Sequence, residues 1–242
     1  MDKQDLTIHW YEWILPVALL LIAIVWSWWV INYPSDSTVA KYISTRRLLQ
    51  AIWRHLYIII ISVILAVCTA VPLGMLVTRP FMKHVCEIIV TIVSILQTIP
   101  SFAVVAILFS VLGIGAKTAI IALWLYSLMP ILNNTIAGIR GVAPDIIDAG
   151  RGMGMTKLEI LFKIELPLAM PVLFAGIRTA VVINVATAII AAFVGAGGLG
   201  DFIVAGKNYM RYQIMLLGAG LATLMALLFD DLLGKVEKVL CR

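Results

Sequence analysis

The sequence predicts an all-α protein that crosses a membrane about six times. Of its 242 residues, 62% are hydrophobic and only 13% are charged, whereas soluble domains carry about 25% charged residues. Six charge-free stretches reach the roughly 18 apolar residues of a spanning helix, and they are uninterrupted, unlike the alternating strands of a membrane barrel. These stretches are Trp13–Ile31, Leu56–Thr78, Ile88–Ala116, Thr118–Ile139, Thr179–Gly200 and Tyr212–Phe229.

The first stretch is interpreted as a spanning helix and not as a signal peptide. Trp13–Ile31 is rich in tryptophan, and no small-residue cleavage site follows it. The next segment begins with polar residues and then predicts a short amphipathic helix, Ala40–His55, at the membrane surface. A tight basic turn, Thr78–His84, separates the second and third stretches.

The one long charged connection is Arg140–Glu165, and it predicts the orientation of the chain. If it lies in the cytoplasm, other basic residues fall on the same side, as the positive-inside rule prefers; these are Arg79, Lys83, Lys235, Lys238 and Arg242. Both termini are then expected in the cytoplasm. The basic residues between positions 41 and 54 oppose this orientation, so charge alone does not settle it.

Within this connection the sequence predicts two short helices. The first begins at Pro144 and is broken by Gly152 and Gly154. A capping-box pattern, Thr156 with Glu159, starts the second, which Pro167 is expected to end. Apolar residues in a loop that faces water favour a docking surface over a hairpin packed only on its own bundle: they are Ile146, Ile147, Met153, Met155, Leu161 and Phe162.

The same connection resembles the EAA motif of ABC importer permeases, which is E-A-A, three residues, G, nine residues, I-x-L-P. The matching positions are Asp148, Ala149, Gly150, Gly154, Ile164, Leu166 and Pro167. Asp148 replaces the glutamate of the motif and Gly150 its second alanine, which keeps the charge and the small volume. The resemblance implies that this loop couples the chain to a separate ATPase.

From about Leu49 to the C-terminus the chain resembles the permeases of the osmoprotectant branch, which import glycine betaine, choline or carnitine. The segments that carry this resemblance are Ile95–Ser101, Leu125–Thr135, Gly138–Val142, Arg151–Thr156 and Ala175–Ala180. An importer of the same type for an amino acid or another small solute is the alternative. The resemblance implies a type I importer fold in the bacterial inner membrane, with an extra N-terminal helix and linker in residues 1–48 and a permease domain in 49–242, including a coupling loop at 140–167.

The resemblance also implies partners. These are a cytoplasmic ATPase dimer that carries ATP and magnesium, a second permease subunit that is identical or paralogous, an external solute-binding protein and membrane lipid. No cofactor, metal or catalytic residue is expected in this chain. Nucleic acid is not expected either, because the basic residues lie in short loops and at helix ends, where membrane proteins normally carry them.

Polar residues inside the predicted spans, including Arg178 just before the charge-free part of the fifth, are candidates for the translocation path or its gate, because such groups are costly in lipid and usually face a cavity or a partner helix. They are Gln97, Asn133, Asn134, Arg178, Asn184 and Thr187. A hydrogen bond between helices is an equally good interpretation of each. An intramembrane enzyme would need paired ionisable residues in the spans, which the sequence lacks apart from Arg178.

Two other patterns do not predict sites. Gly195–Gly200 fits G-x-G-x-x-G by letter, but no predicted strand precedes it, and it instead resembles the external gate-side loop of the permease family. No phosphate-binding P-loop is present. Cys68, Cys86 and Cys241 are odd in number and irregular in spacing, which favours neither a disulfide nor a metal site.

Overall fold

The structure, a computed structural model, describes residues 10–240, and every regular element in that range is helical. After a 3-10 turn come α1 (Ile14–Asn32), α2 (Ser37–Tyr42), α3 (Thr45–Val77), α4 (Lys83–Thr98), α5 (Ser101–Leu112), α6 (Ala116–Arg140), α7 (Pro144–Gly152), α8 (Lys157–Ile160), α9 (Leu166–Thr187), α10 (Gly200–Asn208) and α11 (Tyr212–Leu240). Among the described residues, five stretches are long and apolar enough to span a membrane, and the bent pair α4 and α5 is a sixth candidate. The predicted all-α fold with about six spans is confirmed for this part of the chain.

The connections between the long helices lie on two opposite faces of the bundle. One face holds segments 33–44, 113–115 and 195–211, where the Ser35 N–H donates to the Gln213 side chain at 2.8 Å. The other face holds segments 78–82 and 141–156. We call them the 195–211 face and the 141–156 face.

The core of the bundle lies where α6 packs between α3 and α9. Ile58 of α3, Leu123 of α6 and Val185 of α9 are fully or almost fully buried there. Small residues bring the backbones close together, as membrane helices require. A Cβ on Gly138 of α6, for example, would lie 3.0 Å from the carbonyl oxygen of Ala169.

The N-terminal helix α1 is attached to the bundle mainly through α11. Near its middle, the Trp26 ring lies directly on Gly220, where a Cβ would come within 2.0 Å of the ring. At its two ends, Lys238 pairs with Glu12 at 3.0 Å, and the Gln213 amide donates to the Tyr33 carbonyl at 2.9 Å. These contacts hold α1 antiparallel to α11 along its whole length.

Gly220→Leu is expected to release α1 from α11, because the Trp26 ring occupies the space that the new side chain needs, and such overpacking costs about 1–3 kcal/mol. Faster protease cleavage in the 33–44 link would report the release. Thr223→Leu, at an exposed position of the same helix, is the matched control. Equal cleavage of the two variants would contradict this account of how α1 is held.

The predicted separate helix Ala40–His55 is wrong. The chain instead forms the short helix α2 and then one helix of 33 residues, α3. Asp36 caps α2 by accepting from the Thr38 and Val39 N–H groups, and the hydrogen bond from Val39 is the main reason why the pKa of Asp36 is lowered. Ser44 caps α3, so the helix boundary falls at Ser44 and the amphipathic segment continues into the second span.

The predicted span Ile88–Ala116 is two helices. At Ile99 the backbone becomes extended (ψ 127°), as expected for a residue before proline. Pro100 then starts a new direction, and α5 makes an angle of 98° with α4. The run changes direction sharply at this break, although its composition is that of one span.

Pro167 does not end the second loop helix as predicted. Helix α8 continues through a π-helical segment, Leu161–Glu165, into α9, and the whole stretch Lys157–Val194 is 38 residues long. In the π segment the N–H of Leu166 bonds to the Leu161 carbonyl, five residues back, and this altered pattern accommodates a proline that lacks an N–H. The fifth span therefore begins well before the predicted Thr179 and ends at Gly195, whose φ is +64°.

Candidate coupling loop and translocation path

The loop on the 141–156 face has the local structure that its sequence predicts. Pro144 is the first residue of α7. Thr156 and Glu159 form the predicted capping box, with the Thr156 N–H donating to Glu159 at 2.9 Å and the Glu159 N–H donating to Thr156 at 3.3 Å. Gly154 has a φ of +80°, a conformation that strains residues with a Cβ, so the elbow between α7 and α8 depends on glycine.

Helix α7 packs on the π segment through Gly150. A Cβ there would lie 2.7 Å from the Ile164 Cδ1 atom, so the small residue lets the two helices of the loop touch. Asp148 and Ala149 point away from this contact and are exposed. Asp148 pairs with Arg151 at 2.8 Å, and a pair this exposed contributes about 0–1 kcal/mol, which leaves the carboxylate available to a partner.

The outer surface of the loop is apolar. Ile146, Met153, Leu158 and Phe162 are exposed by 44%, 73%, 68% and 55%. We call these four residues the loop patch. The predicted patch was partly wrong, because Leu161 is buried, Ile147 and Met155 are half-buried, and Leu158 takes a place in the exposed set. Of the motif's last residues, Leu166 is half-buried and Pro167 is exposed.

An ion pair that the sequence analysis missed ties the loop to the end of α3. Arg79 donates to Glu165 at 2.6 Å, and Glu165 is 7% exposed. Arg79 also donates to the Met75 carbonyl in the last turn of α3, at 3.2 Å. Glu165 stands inside the I-x-L-P part of the motif, but its distant partner carries no local signal. The pair gives the loop a direct mechanical connection to a second spanning helix.

A cleft separates α7 and α8 from the ends of α3 and α6. Its volume is about 770 Å³, and its lining includes the basic residues Arg140 and Lys157 as well as the ion pair of Arg79 and Glu165. The loop thus meets the bundle through the π segment, the ion pair and the cleft wall. Movement of the loop would consequently reach α9 and α3 first.

Gln97, a predicted path residue, has a structural partner. Its amide donates at 3.1 Å to the Tyr126 carbonyl, which lost its helical partner because Pro130 has no N–H. The Tyr126 hydroxyl in turn donates to the Ile99 carbonyl at the break between α4 and α5. Two segments that carry the family resemblance, 95–101 and 125–135, therefore interlock at this break.

The neighbouring asparagines of α6 differ from each other. Asn134 lies against Gly176 of α9 and donates to the Pro130 carbonyl at 2.8 Å, so it belongs to the contact between helices. Asn133 is exposed and makes no hydrogen bond to a described residue. Of these two candidates, Asn133 keeps the properties of a path residue.

The remaining candidates point to different neighbours. Asn184 is completely buried and donates to the Ser62 hydroxyl of α3 at 3.0 Å. Arg178 makes a bidentate ion pair with Asp230 of α11, at 2.6 and 2.8 Å. Thr187 is half-buried in the last turn of α9. The structure does not gather the six predicted path residues into one site.

The glycine-rich segment 195–200 forms a tight loop on the 195–211 face. The Arg54 side chain donates to the Ala196 carbonyl at 2.9 Å. Gly198, with a φ of +103°, packs against His55, whose Nδ1 would lie 3.1 Å from an added Cβ. The described chain enters this loop from a helix and not from a strand, so the geometry is not that of a dinucleotide-binding turn. Among the described residues, no group of three or more His, Cys, Asp or Glu could hold a metal ion.

Comparison with known proteins identifies what this fold is similar to. A family model described as "Binding-protein-dependent transport system inner membrane component" matches residues 70–238. The carnitine transport permease protein OpuCB of Listeria monocytogenes is 45% identical over 190 residues, which covers 78% of this chain and 86% of the relative. The choline transport system permease protein OpuBB of Bacillus subtilis is 42% identical and covers 84% and 93%.

A solved structure shares the fold. An inward-facing structure of the MetNI methionine ABC transporter superposes on 83% of this chain and 100% of its own, with a TM-score of 0.72 and 23% identity. At that identity the likeness concerns the arrangement of helices alone.

Proposed function

The chain belongs to the family of binding-protein-dependent inner membrane components, the permeases of ABC importers, and on that premise we propose that it imports an osmoprotectant that carries a quaternary ammonium group. The observation that carries this proposal is the identity above 40% to a carnitine permease and a choline permease, over more than three quarters of the chain. Carnitine, choline and glycine betaine share that ammonium group. The chain is a transport subunit and not an enzyme.

The exposed loop is the proposed contact with the ATPase. The loop patch would enter an apolar groove of that subunit, and the motif residues would shape the contact: Asp148 and Ala149 at the surface, Gly150 and Ile164 in the packing of α7, Gly154 at the elbow, and Leu166 and Pro167 where α9 begins. Because α8, the π segment and α9 form one stretch from Lys157 to Val194, a push on α8 is transmitted to the loop at 195–200. Exposed apolar surface of this kind usually marks an interaction site.

The remaining partners follow from this role. ATP and magnesium would bind the partner ATPase, a second permease subunit would lie beside this one, and an external binding protein would deliver the solute at the 195–211 face. The 141–156 face would then be cytoplasmic, with both termini on its side. The peripheral packing of α1 supports an N-terminal part separate from the permease domain, but α3 (Thr45–Val77) runs unbroken across the proposed boundary between residues 1–48 and 49–242.

The test is uptake of radiolabelled glycine betaine, carnitine, choline and methionine at high salt. The host cells lack other osmolyte importers and express this chain together with its genomic neighbours. We expect uptake of at least one quaternary ammonium solute and none of methionine. Uptake of methionine alone would overturn the substrate and leave the importer role in place.

A further inference from the structure

Helix α4 exposes two different surfaces side by side. Glu87, Thr91, Ser94 and Thr98 follow the spacing i, i+4, i+7, i+11 and share one side of the helix; Glu87, Thr91 and Thr98 are exposed and Ser94 is half-buried. We call these four residues the polar stripe. The adjacent side is apolar and equally exposed, with Val85, Ile88, Ile92 and Ile95.

These two surfaces suit different environments. The apolar side suits lipid. On the polar stripe, the Thr91 hydroxyl donates to the Glu87 carbonyl at 2.7 Å, and the Thr98 hydroxyl donates to the Ile95 carbonyl at 2.7 Å. The helix backbone therefore satisfies the donor of each of these hydroxyls. The Glu87 carboxylate, however, has no ion pair with a described side chain. Glu87 lies in the second turn of α4, next to the 141–156 face, where water reaches a carboxylate, and the exposed Thr91 and Thr98 continue this polar side along the helix toward its other end.

The position of α6 shows which space the polar stripe faces. Ser94 contacts the Met129 sulfur at 3.7 Å and Gln97 bonds to Tyr126, so this side of α4 adjoins α6. Asn133 follows Met129 by one helical turn and precedes Asn134, which faces α9. Asn133 therefore lies between the sides of α6 that face α4 and α9, and its exposure shows that the space between them is open.

Helix α9 supplies the other wall of this space. Gly176 faces α6, and Asn184 turns toward α3 through its bond to Ser62. Thr179 and Asn184 lie on opposite sides of the face of α9 that contacts α6. Thr179 is exposed. By helix register and exposure, the polar stripe, Asn133 and Thr179 thus border the same open side of the bundle, between α4, α6 and α9; we call it the groove.

We propose that the polar stripe of α4, with Thr179 of α9, lines the translocation path along this groove. The inference rests on the proposed importer function, with its second permease subunit, and assigns residues of this chain to the path. A quaternary ammonium group donates no hydrogen bond, so the hydroxyls and amides of such a path offer it weak contacts on the way through. Weak contacts suit a path, since a solute that is held tightly does not leave.

The test uses single cysteines in a chain whose native Cys68, Cys86 and Cys241 are replaced by serine or alanine. Thr91→Cys and Thr98→Cys place a thiol on the polar stripe, and Ile92→Cys, one residue from Thr91, places it on the apolar side. With the assembled importer in membrane vesicles and a charged thiol reagent that does not cross lipid, we expect the stripe thiols to react at least about tenfold faster than Ile92→Cys, because the reactive thiolate forms in water. Equal rates at Thr91→Cys and Ile92→Cys, or no reaction on the stripe, would overturn the proposal.

Uptake measurements distinguish a polar stripe that lines the path from one that is only exposed to water. A bulky adduct on Thr91→Cys is expected to stop uptake, whereas the same adduct on Ile92→Cys, introduced with a lipid-soluble maleimide, leaves uptake unchanged because Ile92 lies on the apolar side of the same helix. Full uptake by the Thr91→Cys adduct would exclude this stripe from the path. If the unmodified importer carries no osmoprotectant, the substrate proposal fails, but the reaction rates still decide whether the stripe faces water.

Discussion

Gly154→Trp is expected to abolish ATP-driven uptake while the chain still inserts into the membrane. The φ of +80° at Gly154 costs a residue with a Cβ about 1–2 kcal/mol. The space around the position is open, with no atom of this chain within 4 Å of an added Cβ, so a side chain can leave the backbone there without a contact at its first atom. It projects from the elbow beside the loop patch, where it obstructs the approach of the ATPase. Uptake, together with co-purification of the ATPase, measures the loss.

Two further variants identify the cause of that loss. Gly154→Asn puts a small side chain that tolerates a positive φ at the elbow, so it is expected to keep most of the uptake. Gly113→Trp is the matched control for ATPase co-purification, because Gly113 also has a positive φ (+77°) and open surroundings but lies on the 195–211 face, away from the loop. Retained uptake in Gly154→Trp, or an equal loss of co-purified ATPase in Gly154→Trp and Gly113→Trp, would contradict docking at the loop.

The local structure of the loop could be predicted from the sequence because its signals act over a few residues. A proline at the first helical position, a capping box and a glycine at a positive φ each lie within one turn of the residues that they control. The exception was Pro167, where a local rule predicted the end of a helix. The π segment before it changed the hydrogen-bond pattern, and no feature of the sequence near Pro167 announces that change.

The course of the spans was harder to predict because composition does not distinguish a straight run from a broken one. Residues 88–116 contain enough apolar residues for one span, yet Pro100 breaks the run. The groups that hold the break, Gln97 and Tyr126, are 29 residues apart in sequence. The structural role of such a pair becomes visible only when both helices are in place.

The same limit explains the outcome for the predicted path residues. Polarity inside a span indicates that a residue has a partner or a cavity, but a single sequence does not indicate which. Gln97, Asn134, Arg178 and Asn184 each have a partner in the structure, and Asn133 faces the groove. The polar stripe was accessible to sequence analysis, since its residues recur with helical spacing. The predicted path candidates were single polar residues, so this recurrence was not among the predictions.

Gly176→Leu is expected to destabilise the bundle more than a substitution at any exposed position of α9. An added Cβ would lie 2.6 Å from the Asn134 Cβ and 2.7 Å from the Pro130 carbonyl oxygen, and the latter is backbone that moves only with α6 itself. Overpacking at such a contact costs about 1–3 kcal/mol or more, because the two helices must separate. The apparent melting temperature of the purified protein in detergent measures the effect, with Thr179→Leu as the exposed control.

The close contact at Gly176 also sets the geometry of the groove, because the distance between α6 and α9 fixes how far Asn133 lies from Thr179. A variant that separates these helices should therefore lose uptake even where enough folded protein remains to assemble. If Gly176→Leu instead has the same apparent melting temperature as Thr179→Leu and transports normally, then the packing of α6 on α9 does not depend on this contact. The width of the groove would then not depend on the close approach of α6 and α9 at Gly176.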